Sequence, residues 1–190
     1  MPQWQTTHFL LDLKRPLIMG IVNNTPDSFS DGGKYQGQRA LQHAEQLIKD
    51  GADILDIGGE STRPGSPAVP LEEELARVLP VVQEAVRLGV AVSVDTYKPQ
   101  VMQAVLDLGA DIINDVWGLR QPGAQDVVAA HHSCGVCLMH MHQTPQNMHL
   151  QHMQGDAVPQ VCDFLLRETQ ALLDRGVARN RIVWDYGIGF

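Results

Sequence analysis

The chain has 190 residues, 44% hydrophobic and 19% charged, which is enough apolar content for one compact domain with a sizeable core. Its formal net charge is −8, with Lys and Arg scattered singly, and that argues against nucleic-acid binding, which needs a basic face. No apolar run approaches the roughly 18 residues a membrane helix needs, residues 1–16 carry no signal-peptide pattern, and three cysteines suit a reducing cytoplasm better than a disulfide framework.

In chain order, a short hairpin is expected within Trp4 to Leu13, ahead of a first strand near residues 17–23. Leu41, Ala44, Leu47 and Ile48 keep helical spacing, and Gly51 supplies the left-handed C-cap before a second strand near 53–58. Leu71, Leu75, Val78, Leu79, Val82 and Val86 form the next helical series. It is opened by Pro70 and by Glu72, Glu73 and Glu74, which read as an exposed helix start with no catalytic role. Gly89 precedes a strand at 91–95, and Gly109 one near 111–116. Pro99 and Pro122 are each placed in the first turn of a further helix. A strand near 135–140 leads to a long helix from about Val158 to Arg175, and Gly176 precedes the last strand near 181–185.

These near-continuous apolar runs read as buried parallel strands alternating with helices. Polar residues close every strand: Asn23, Asp56, Asp95, Asn114 with Asp115, His140 and Asp185. In a barrel those positions converge on one face, whereas in an open doubly wound sheet only strands beside the switch point share a site. The expected fold is therefore α/β, a TIM (β/α)8 barrel with about six of its eight strands, forming a single domain over residues 1–190 that is truncated at the C-terminus.

The segments with most chemistry are the loops. Asn23-Asn24-Thr25-Pro26-Asp27-Ser28-Phe29-Ser30-Asp31-Gly32-Gly33 resembles the loop after the first strand of dihydropteroate synthases, and Gly58-Gly59-Glu60-Ser61-Thr62-Arg63-Pro64-Gly65 is similar to their second loop. Ser93-Val94-Asp95-Thr96, Ile113-Asn114-Asp115, Leu138-Met139-His140-Met141 and Asp185 with Gly187-Ile188-Gly189-Phe190 follow in the family's order. Two positions depart from its pattern, where an apolar residue is usual at Asn24 and Pro at Tyr186.

The resemblance implies a Mg²⁺-dependent transferase of folate biosynthesis and a sulfonamide target. Its substrates would be 6-hydroxymethyl-7,8-dihydropterin pyrophosphate and para-aminobenzoate, with no nucleic-acid or membrane partner, and family members often form a homodimer. It implies that Asp185 accepts two donors of the pterin edge and Asn114 meets its mixed donor and acceptor pattern. Asp95 would bond ring nitrogens and stabilise positive charge as pyrophosphate leaves. Thr62 would contact substrate from the second loop, and Arg63 would act with Asp95 as a catalytic residue, clamping phosphate or shaping the para-aminobenzoate site. Phe29 and Pro64 would flank the amine, and Asn23 would be the metal ligand, with Asp31 as a weaker candidate. The family's pterin and pyrophosphate ligands on the seventh and eighth strands have no counterpart before Phe190, so the chain alone is expected to be inactive. A truncated pterin-binding paralogue and a pterin-dependent methyltransferase domain are the alternatives.

Blander readings stand beside these. Any single strand-end Asp, Asn or Thr can cap the following helix. Asp56 is balanced between supporting the site and belonging to it. His140-Met141-His142 has a spacing seen in zinc sites but lacks a third ligand fixed by spacing, so His140 reads as a structural residue lining the mouth. Cys134-Gly135-Val136-Cys137 enters a strand, where side chains three apart point to opposite faces, and reads as packing.

Overall fold

The computed structural model describes residues 2–24, 36–61, 66–143 and 153–189. An antiparallel pair, β1 (Gln3–Gln5) and β2 (Leu10–Asp12), precedes six parallel strands. These are β3 (Met19–Asn23), β4 (Ile54–Gly58), β5 (Ala91–Asp95), β6 (Ile112–Asp115), β7 (Gly135–Met139) and β8 (Ile182–Asp185), hydrogen-bonded in sequence order. The helices α1 (Gln36–Lys49), α2 (Leu71–Ala85), α3 (Pro99–Asp107), α4 (Ala124–Ala130) and α5 (Ala157–Asp174) alternate with them, and a 3-10 turn, Arg179–Arg181, leads into β8. The architecture is six consecutive strands of a (β/α)8 barrel behind an N-terminal hairpin, as the sequence led us to expect.

Strand period two sorts the side chains into two cores. Val22, Leu55, Ile57, Val92, Val94, Ile113, Val136 and Leu138 face outward into a buried cluster with the helices. Ile54, Ala91, Ile112 and Cys137 face inward and pack with Trp4 of β1. The hairpin thereby closes the N-terminal end of the sheet. Trp4 Nε1 donates to the Arg181 carbonyl at 2.9 Å, and Gly135 is needed beneath it because a Cβ there would sit 3.0 Å from that nitrogen. Asp111, 2% exposed, secures the same end by accepting from the backbone N–H of His8 at 2.8 Å and of Val92 at 3.0 Å.

One helix boundary differs from expectation. Pro122 lies ahead of α4 and not in its first turn, because Gly123 takes a left-handed conformation (φ 90°) at the N-cap and starts the helix at Ala124. Cys134 and Cys137 do fall in opposite cores, outer and inner.

Candidate functional site

With the N-terminal end filled by Trp4, the C-terminal end of the sheet is left for chemistry. The parallel register runs Asn23 to Gly58, Gly58 to Asp95, Asp95 to Asn114 and Asn114 to Cys137. These alternate positions share the inner face, so Asn23, Asp95 and Asn114 lie on one level. Asp185 pairs with Met139 on β7, further toward the C-terminal rim. Gly58 keeps this level open, since a Cβ there would sit 3.6 Å from Asn23 Oδ1 and 3.9 Å from Asp95 Oδ2.

One step below lies a second polar pair, Asp56 beside Ser93, both buried. The Asn114 amide reaches down and donates to Asp56 Oδ2 at 3.2 Å. Asp56 Oδ1, Ser93 Oγ and Asp95 Oδ1 are buried with no hydrogen-bond partner among the described residues. A buried acceptor left unmatched costs typically about 1–3 kcal/mol; the Ser93 hydroxyl lies beside Asp56, but Asp95 Oδ1 has no donor among the described residues, which leaves it open to donors from a ligand. Asp185, by contrast, is exposed, and its Oδ1 accepts from the Gly187 N–H at 2.8 Å.

The electrostatics follow from crowding acids into this space. Burial pushes the Asp95 carboxyl well above the usual range, and the neighbouring acids Asp56, Asp115, Glu74 and Glu60 push it further. Burial also raises Asp56, while the nearby Ser93 hydroxyl and the Asn114 amide pull it back. Asp115 is raised to about 7 by burial, against two backbone donors, Trp117 N–H at 2.7 Å and Leu119 N–H at 2.9 Å. That double acceptance organises the turn after β6, in which Leu119 takes a left-handed backbone (φ 60°).

A model of the family described as pterin binding enzyme matches residues 19–190. The chain belongs to the pterin-binding enzyme family. It is 49% identical over 189 residues to a dihydropteroate synthase of Neisseria meningitidis serogroup B, covering 98% of this chain and 66% of that relative. It is also 44% identical over 179 residues to one of Bacillus subtilis, covering 93% and 60%. Among solved structures, a Burkholderia cenocepacia dihydropteroate synthase complexed with 7,8-dihydropteroate superimposes with a TM-score of 0.88 at 52% identity, covering 99% of this chain and 64% of that one. A Yersinia pestis dihydropteroate synthase with a sulfonamide drug gives a TM-score of 0.91 at 43% identity, covering 99% and 69%. The chain thus spans about two thirds of the length of such pterin-binding relatives, 66% of the first and 60% of the second.

Of the residues expected at the site, Asn23, Asp95 and Asn114 are brought to one level and Asp185 to the rim beyond them. Thr62 and Arg63 lie outside the described residues, as do Phe29, Asp31 and Pro64. Asn24 is 3% exposed, and its amide nitrogen donates to the Arg77 carbonyl in α2 at 2.7 Å while its Oδ1 has no partner among the described residues. Tyr186 is 55% exposed and, with His140 and Ile188, borders an apolar cavity of about 590 Å³ against α5. His140 is buried and meets the Phe164 ring edge-on at 5.2 Å.

One expectation is corrected: Glu74 does not belong to an exposed helix start. It is 1% exposed and accepts from the Thr96 hydroxyl at 2.6 Å, because it shares the buried stripe of α2 with Val78, Val81, Val82 and Ala85. Sequence reasoning also left Asp56 undecided. The signal was available in the internal repeat, where Gly51-Ala52-Asp53-Ile54-Leu55-Asp56 aligns with Gly109-Ala110-Asp111-Ile112-Ile113-Asn114 and sets Asp56 in the place of its own hydrogen-bond partner.

Proposed function

We propose that this chain carries the pterin centre of a dihydropteroate synthase, which condenses 6-hydroxymethyl-7,8-dihydropterin pyrophosphate with para-aminobenzoate and releases pyrophosphate. The observation that carries this reading is the buried Asp95 Oδ1, which has no hydrogen-bond partner among the described residues, on the inner face beside Asp56 and the Asn114 amide. A dihydropterin presents ring N–H and amino donors along one edge, the complement such acceptors need. Asp95 would bond the ring nitrogens and Asn114 would match the mixed edge, while Asp56 fixes the Asn114 amide so that its oxygen faces the ligand. Asp185 has one oxygen committed to Gly187 and would offer the other to the pterin's amino group.

The reaction asks little covalent work of the protein. As the pyrophosphate departs, positive charge develops on the pterin and its methylene, and Asp95, drawn to its ionised form by the pterin's N–H donors, would stabilise it electrostatically before the arylamine attacks. Thr62 and Arg63 are proposed as substrate contacts from the loop after β4. Mg²⁺ is proposed as the metal, with Asn23 as its protein ligand. The side-chain oxygen of Asn23 is the hard donor this ion prefers, and the bare backbone of Gly58 leaves space beside it. When bound, Mg²⁺ would neutralise the leaving pyrophosphate. A cytoplasmic location fits the three unpaired cysteines, and a homodimer is the assembly proposed from the family resemblance. Support for both ligand classes comes from relatives solved with 7,8-dihydropteroate, with 4-aminobenzoic acid and with a sulfonamide drug.

Calorimetric titration with 6-hydroxymethyl-7,8-dihydropterin tests the reading. Binding by the chain, lost in Asp95→Asn, supports it, whereas no heat at any pH would sink it. Incorporation of labelled para-aminobenzoate then separates a synthase from a methyl-transfer domain.

A further inference from the structure

Beneath the loop that leaves β4, two acids converge on one ammonium. Lys98, three residues past Asp95, donates from Nζ to both Glu60 Oε2 and Glu74 Oε2. Glu60 also accepts from the Tyr97 hydroxyl at 2.9 Å, and Glu74 from the Thr96 hydroxyl at 2.6 Å. The two acids are 7% and 1% exposed. A buried ion cluster of this kind is a weak source of stability, because desolvation offsets much of the attraction. Its effect is geometric, since it ties three elements together: the loop after β4, the helix α2 and the turn after β5.

Two further contacts hold the same stretch. Arg77 of α2 donates to the Gly59 carbonyl at 2.7 Å, and Gly59 lies so close to the helix that a Cβ would come within 2.6 Å of Val78 Cγ2. Gly59 and Glu60 are therefore held on α2 just before Ser61 and residues 62–65, where the proposed substrate contacts Thr62 and Arg63 stand. We propose that Lys98 is a positioning residue: by bridging Glu60 and Glu74 it seats the root of the β4 loop beside Asp95, and discrimination in favour of a pyrophosphorylated substrate depends on that seat. The ligand half of this inference rests on the function proposed above.

The test needs a variant that strands as little buried charge as possible. Lys98→Met leaves two buried carboxylates unpaired and is expected to unfold readily, so the working variant is Lys98→Met with Glu60→Gln, which keeps the cluster's net charge. Amide hydrogen exchange at Glu60 and Ser61 measures the seating without any ligand. It should speed up about tenfold or more, while β5 and the core of α2 stay protected. In calorimetry, 6-hydroxymethyl-7,8-dihydropterin should bind as it does to the unaltered chain, whereas the affinity advantage of its pyrophosphate ester should fall about tenfold, as expected for a misplaced clamp. Lys98→Arg should preserve both properties. Unchanged exchange in the double variant, or an equal loss for both ligands, would overturn the positioning role. If the unaltered chain binds neither pterin, the proposed function fails, and the exchange measurement alone still decides the part played by Lys98.

Discussion

At the scale of single residues, Asn24 and Asp95 both carry buried oxygens without partners among the described residues, yet in different settings. Asp95 faces the inner space of the barrel, where a ligand can supply donors. Asn24 is buried against α2, and its amide adds a donor to a carbonyl of the helix. Replacing Asn24 with Val removes a stranded acceptor that costs about 1–3 kcal/mol. We expect the variant to gain about 1 kcal/mol in a denaturant titration, and a loss would mean that the bond to Arg77 outweighs the stranded oxygen. Asp95→Asn exchanges an acid already pushed toward its neutral form for a neutral amide, so its melting temperature should change little while pterin affinity drops at least about tenfold. Matched losses of stability and affinity would reassign Asp95 to a structural role.

Among elements, the β4 loop packs closely on α2 near the site. Gly59 has no room for a methyl group against Val78, so Gly59→Ala should cost about 1–3 kcal/mol through overpacking. Combining it with Val78→Ala should recover part of that loss, and strict additivity in chemical denaturation would show that the two do not meet. The internal repeat also explains the strand starts. Asp53 accepts from the Ile18 N–H at 2.9 Å, as Asp111 accepts from the Val92 N–H at 3.0 Å, so the same position ties each unit to the strand before it. Asp53 does this at the surface with Arg15, and Asp111 does it in the interior with His8.

For the whole molecule, acids concentrated at one end of the barrel should leave a mark on stability. Asp115 is held at about 7 against an ordinary value of 3.8, and Asp56 and Asp95 shift in the same direction. The folded chain therefore binds more protons than the unfolded chain between those two values. The stabilisation is complete below the unfolded value and is lost as pH rises through about 7. Thermal melts from pH 5 to 8 should show a falling melting temperature, with each such group contributing up to about 1.4 kcal/mol per pH unit. Asp115→Asn should flatten the profile, whereas a stability that rises with pH over this range would contradict the buried, protonated acids.

Much of the fold was legible in the sequence because strand alternation and glycine-capped helices are local signals. The strands lie within a residue or two of their expected ends, and the polar residues closing them identified the barrel before any coordinates. Asn23, Asp95 and Asn114 were named by their match to the family's loops and strand ends, and the parallel register sets all three at one level on the inner face. Glu74 was misplaced although it stands four residues before Val78 and eight before Val82, both on the buried stripe of α2. Its charge in an acidic first turn outweighed that spacing, and the Lys98 and Thr96 side chains that accommodate it come from another element. The pairing of Asp56 with Asn114, the burial of Asn24 and the bridging by Lys98 are likewise contacts between residues 24 to 58 positions apart. The sequence by itself determined the order of the units and the chemistry at their ends. Only the tertiary structure decided which acids are buried together, because their neighbours come from separate strands and helices whose approach no local periodicity encodes.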